Sequence, residues 1–124
     1  MLTEIGPGLV LHLDPDTLES GGGTYTCEPS RRVRGPHFFL CIAATATGAR
    51  WLPLYSEAGV GRTEIPQAGR TGHPKWTNGT FFYHRAQVWS AGPSAVAAAA
   101  AAASDLSQPG QRNRLASTCI PSGL

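Results

Sequence analysis

Arg31-Arg32-Val33-Arg34-Gly35-Pro36-His37-Phe38-Phe39-Leu40-Cys41-Ile42-Ala43 is the stretch that decides how this chain folds. Three arginines within four residues run into Gly-Pro and then into seven residues with a single polar side chain, His37. A run this short, apolar on both alternating faces, reads as a β-strand buried on both sides. His37, Phe39, Cys41 and Ala43 then face one way, and Phe38, Leu40 and Ile42 the other. A cationic loop held at the end of a rigid strand is a place to bind anions, phosphates above all.

The rest of the composition fits a small strand-rich domain. With 124 residues the chain forms one domain spanning 1–124, and its 15 glycines and 10 prolines favour short strands and turns over a helical bundle. No segment approaches the ~20 apolar residues that span a bilayer, and residues 1–5 lack a secretory pattern, which predicts a cytoplasmic protein without a membrane partner. The 3 cysteines (Cys27, Cys41, Cys119) contain no CxxC and read as reduced thiols, Cys41 being inert in the core. Asn78-Gly79-Thr80 reads as a turn. Charge is divided along the chain: residues 1–26 carry acids and no base, whereas residues 27–90 are strongly basic, almost entirely through arginine. Arginine is the better side chain for two-pronged phosphate contacts.

In chain order, Leu9 to Leu13 alternates as a strand and is stopped by Asp14-Pro15-Asp16. Residues 17–30 predict a long loop or loose hairpin with a short strand at 24–27. After the strand 37–43 come a turn at 45–49 and a strand at 50–56, where Pro53 calls for an edge or a bulge. Residues 62–65 form a short run, and 66–79 hold too many glycines and prolines for a regular element. Residues 80–89 give the last β signal. The alanine run 97–103, behind Pro93, predicts a helix over about 93–106, followed by a frayed tail at 109–124.

No His pair has metal-ligand spacing, and HExxH, GxxxxGK[ST] and GxSxG are absent, so neither a metal nor another cofactor is expected. Gly59-Val60-Gly61-Arg62-Thr63-Glu64 begins like a nucleotide loop but ends in Glu. His12, opposite the leucines of its strand, reads as solvent-facing. Cations interleaved with aromatics remain. Arg31, Arg32, Arg50, Arg70, His73, Lys75, Trp76 and Arg85 make a candidate RNA-binding set, in which cations grip phosphates beside rings that stack on bases. The competing account makes the aromatics core residues. Arg34 is a candidate phosphate clamp. His37, three residues on, is a candidate general base or acid, or else only the end of its strand.

The order of parts resembles the MazF/PemK family of toxin–antitoxin ribonucleases. Gly6-Pro7-Gly8-Leu9-Val10-Leu11-His12-Leu13-Asp14 is similar to that family's opening strand. Arg34-Gly35-Pro36-His37-Phe38-Phe39-Leu40-Cys41 is similar to its basic loop and second strand. Gly72 to Trp76, with Tyr83 to Trp89, resembles a later strand and the turn before a helix. The resemblance implies a small SH3-like β-barrel over about 6–91 with a C-terminal alanine-rich helix. It also implies metal-independent endoribonuclease activity, with Thr45 (or Thr47) as a supporting donor beside His37 and Arg34. The implied partners are RNA, a small acidic antitoxin and a second copy of the chain. Two other functions fit the residues: a non-catalytic adaptor whose groove binds a protein segment, and a phage or mobile-element structural protein.

Overall fold

In the computed structural model, which describes residues 5–105 and 112–124, the central stretch forms an eight-residue strand, His37–Ala44. The described residues make a mostly β fold of nine strands with three α-helices. The strands are β1 (Leu9–Leu13), β2 (Thr24–Tyr25), β3 (His37–Ala44), β4 (Ala49–Pro53), β5 (Arg62–Glu64), β6 (Arg70–Thr71), β7 (Phe82–His84), β8 (Trp89–Ala91) and β9 (Asn113–Leu115). The helices are α1 (Pro15–Ser20), α2 (Pro74–Thr77) and α3 (Pro93–Ala102). Seven strands form one antiparallel sheet in the order β2-β8-β4-β3-β1-β9-β6, and β5 and β7 form a separate ribbon.

The mostly β character and the alanine-rich helix are as the sequence predicts, but the sheet does not close into a barrel. The expected strand 80–89 breaks in two. Gln87 N–H donates to the His84 carbonyl and Ala86 N–H to His84 Nδ1, a turn that sends β7 to the ribbon and β8 to the large sheet. The edge strands β2 and β6 are only two residues long and stay open.

The side-chain alternation read from the sequence sorts the core. Leu9, Leu11, Leu13, Phe39, Cys41, Trp51 and Trp89 pack on one face, under α1 and α3. Val10, Leu40, Leu52, Leu54 and Val88 pack on the other with Ile65, Trp76 and Tyr83, and Phe38 and Ile42 lie against them. Burial pushes the Cys41 thiol up to about 11, which keeps it protonated. Pro53 sits in an interior strand, yet β8 pairs only with residues 49–51, so its missing N–H leaves no ladder position empty.

Four sequence expectations are corrected, the first over residues 66–79, which hold β6 and α2 where the glycines and prolines predict no regular element. Residues 15–20 are helical, because Asp14 caps the helix by accepting from Thr17 N–H at 3.1 Å and Pro15 suits the first turn. Gly21 ends that helix against α3, where a Cβ would lie 2.7 Å from the Ala95 Cβ, so only small residues allow the approach. The chain expected to fray returns as β9, an interior strand between β1 and β6. Residues 109–111 of that expected tail, and residue 106 of the expected helix, lie outside the described residues. His12 is half-buried, its ring 5.3 Å from Phe38 and its Nδ1 3.3 Å from the Ala103 carbonyl.

Candidate nucleic-acid interface

At the end of the sheet where β3 begins and β4 has ended, the ribbon leans towards the 3₁₀ turn Pro29–Arg31 and leaves a cleft of about 350 Å³. Arg62 and His84 stand directly opposite each other on β5 and β7, so their side chains share a face of the ribbon. Both line the cleft, together with Arg31, Tyr55, Gln87 and Cys27. The Arg62 guanidinium lies 3.9 Å from the centre of the Tyr55 ring and donates to the Glu57 carbonyl at 2.9 Å. The Arg31 side chain is exposed and makes no hydrogen bond or ion pair with the described residues. Among the described residues, no Asp or Glu side chain lines the cleft.

Backbone contacts fix the proton positions of the two histidines near this cleft. His84 Nδ1 lies 3.0 Å from Ala86 N–H, which can only donate, so neutral His84 carries its proton on Nε2. Gly61 (φ +77°) gives that nitrogen room, since a Cβ there would come within 2.5 Å of Nε2. His37 is the reverse case. Its Nδ1 lies 2.8 Å from the Gly35 carbonyl, which can only accept, so Nδ1 carries the proton and Nε2 keeps a lone pair. Its ring meets Tyr55 edge-on, with centroids 6.0 Å apart. Burial pushes the Tyr55 phenol up, with the Gln87 hydrogen bond and Arg62 pulling the other way. Burial also raises the Cys27 thiol against the pull of Arg32 and Arg31, so Cys27 stays a thiol at neutral pH.

The residues singled out in the sequence do not form one site. Arg31, Arg34 and His37 lie at the cleft end, where Arg34 is exposed and donates to the Pro29 carbonyl at 2.9 Å. Thr45 lies at the opposite end of β3, bonded to the Gly48 carbonyl at 3.2 Å. With Arg50, Thr47 and Ser90 it borders a second cleft of about 390 Å³. Arg50 and Arg85 donate to the main chain of Leu124 and Gly123. His73 caps α2 by accepting from Lys75 N–H at 3.0 Å, and both residues are exposed.

Arg32, Arg70 and Trp76 are built into the fold. Arg32 is held by Asp16 and Glu19 (3.1 Å) at α1, so acids of the N-terminal segment neutralise it. Trp76 is fully buried, and its Nε1 donates to the Arg114 carbonyl at 3.0 Å. Arg70 is 7 % exposed and spends its guanidinium on backbone carbonyls.

Sequence reasoning alone does not single out Tyr55, Arg62 and Gln87 as site residues, and marks His84 only as one of four histidines, beside Arg85 in an aromatic stretch. The one available signal is the Gly-Val-Gly-Arg turn, which resembles a nucleotide loop too poorly to stand out. Among the described residues, no group of three His, Cys, Asp or Glu is placed to hold a metal ion, and no helix is long and apolar enough to cross a membrane.

Fold and cleft together describe an open antiparallel sheet, covered on both faces, with a donor-lined cleft at one end. No protein-family model matches the chain, and no curated protein or solved structure matches it.

Proposed function

We propose that the cleft binds single-stranded RNA and that the protein cleaves it without a metal ion, as the toxin–antitoxin ribonucleases that its sequence resembles do. One observation carries this reading. Arg31, Arg62, the Tyr55 hydroxyl and His84 Nε2–H offer donors to a single cleft that no carboxylate of the described residues lines. Such a cleft suits a ligand that is anionic and rich in acceptor oxygens, as a phosphodiester is. His37 supplies a free imidazole nitrogen nearby, and Arg34 a further cation at the same end. In this reading the protein acts in the cytoplasm, a small acidic antitoxin competes for the same donors, and a second copy of the chain completes a homodimer.

A different observation favours the adaptor function: Val60, at the lip of the cleft, is 100 % exposed. Salt dependence separates the two. Binding of a single-stranded RNA should weaken steeply with salt, and Arg31→Ala, which takes away one phosphate-neutralising cation, should lower the log–log slope by about 0.7. Arg32→Ala should change stability instead, because its charge is already neutralised by Asp16 and Glu19. Fluorescence titrations across a salt series read both effects. If RNA fails to bind at low salt while a Val60→Asp change abolishes binding of a protein segment, the adaptor function is correct.

A further inference from the structure

The Gln87 side chain is 4 % exposed, and its amide has one orientation open to it. Val33 N–H and Trp89 Nε1–H both reach the same polar atom of that amide, at 2.9 and 3.0 Å. Neither group can accept a hydrogen bond, so the atom that they meet is Oε1. The other atom is therefore the NH₂, and it lies 2.5 Å from the Tyr55 hydroxyl. An NH₂ only donates, so the Tyr55 oxygen accepts. The phenol proton is thus not spent on Gln87, and no acceptor among the described residues takes it. Tyr55 lines the cleft, with Arg62 over its ring face and His37 against its edge, which holds the ring in place.

We infer that Tyr55 is a ligand-binding hydrogen-bond donor, locked in that role by Gln87 as a positioning residue, and that it donates to a non-bridging phosphate oxygen. The identity of the ligand as RNA rests on the function proposed above; the direction of the hydrogen bond does not. A buried amide anchored by two donors fixes which way a phenol points its proton, which a water contact would leave free to rotate. The neighbouring donors on Arg31, Arg62 and His84 make an anionic oxygen the matching acceptor.

Gln87→Glu tests this with little change of shape. One carboxylate oxygen still accepts from Val33 and Trp89, but the other cannot donate, so Tyr55 must turn its proton away from the cleft and towards the glutamate. Tyr55→Phe removes the proton and keeps the ring under Arg62. Each change should weaken binding of inorganic pyrophosphate and of a short fluorescein-labelled RNA roughly tenfold, as expected for one hydrogen bond to a charged oxygen. The double variant should bind as weakly as either single one. The Tyr55 phenol, read by ultraviolet titration against Tyr55→Phe, should titrate higher in Gln87→Glu, because a donated hydrogen bond is removed from the phenolate and a negative neighbour is added. A purely packing role for Gln87 would leave that titration in place.

Wild-type-like binding by Gln87→Glu, additive losses in the double variant, or an unmoved phenol titration would each overturn the assignment. If Gln87→Glu does not fold, undiminished binding by Tyr55→Phe overturns it and a tenfold loss supports it. Pyrophosphate binding without RNA binding would sink the RNA reading and leave the donor assignment standing. RNA binding undiminished by Tyr55→Phe would do the reverse, and binding of neither ligand by the wild type would overturn both.

Discussion

Replacing Arg70 by Met should lower the thermal midpoint by more than about 10 °C while removing no exposed cation. The four hydrogen bonds donated by this guanidinium explain the size of the effect. Nε donates to the Pro66 carbonyl at 3.2 Å, Nη1 to Trp76 at 3.0 Å and Gly79 at 2.5 Å, and Nη2 to Ile65 at 2.7 Å. The plane also lies 4.8 Å from the centre of the Trp76 ring. Residues 65–79 hold little ladder structure, so these carbonyls depend on one side chain where a sheet would have used neighbouring N–H groups. Leaving a buried carbonyl unpaired costs about 1–3 kcal/mol, and hydrogen bonds from a charged group run to ~1.5–3 kcal/mol each. Allowing for relaxation and water entry, about 3–5 kcal/mol is the expected loss, a large part of a small domain's stability. Arg70→Lys should recover only part of it, since an ammonium cannot reproduce the planar fork. Circular dichroism melting curves of the three proteins decide the matter. A midpoint within a degree or two of wild type for Arg70→Met would mean that the segment is held by something else.

Arg70 also shows where the sequence is legible and where it is not. Alternation in residues 9–13 and 37–43 predicts which side chains face which layer, because a side-chain period of two leaves no other arrangement for a strand buried on both sides. The helix behind Pro93 is equally legible from alanine alone. Charge is not legible in the same way. Arg31, Arg32 and Arg34 look equivalent in sequence, yet Arg32 is held by two acids from α1, a helix whose residues carry the pattern of a loop. The Arg70 hydrogen bonds span residues 65 to 79 and depend on a loop path that no local pattern encodes. The cleft is hidden for a related reason: Tyr55, Arg62 and the His84–Gln87 turn come from three separate stretches that meet only because β7 leaves the large sheet. Thr45 and His37 look like partners because both flank one strand, but eight residues at ~3.3 Å each put them roughly 25 Å apart.

Cleavage of a mixed-sequence RNA in EDTA should fall by about 10²–10⁴-fold in His37→Asn, with the melting temperature almost unchanged. The proposed chemistry needs a base for the 2′-hydroxyl proton, donors for the negative charge that gathers on the phosphorus oxygens, and an acid for the departing 5′-oxygen. The 2′-oxygen bonds to phosphorus as the bond to the 5′-oxygen breaks, leaving a cyclic phosphate on one fragment and a hydroxyl on the other. His37 Nε2 is left with its lone pair by the Nδ1–H bond to Gly35, which suits the base. His84 is locked in the opposite tautomer by Ala86 N–H and presents Nε2–H, which suits the acid. Asn at position 37 can still donate to the Gly35 carbonyl through its amide, so the loop geometry survives while the base is removed. His84→Gln should slow cleavage by a comparable factor, because its amide hydrogen can bond an oxygen but cannot be transferred. Thr45→Ala is the informative control: at the far end of β3 its removal should leave the rate within about twofold of wild type, although the family resemblance places it beside His37. Equal cleavage by wild type and His37→Asn would remove His37 from the mechanism. A rate that collapses in Thr45→Ala would show instead that the chemistry lies in the second cleft with Arg50. Absence of cleavage by the wild type across a wide RNA pool would leave the donor-lined cleft as a binding site alone.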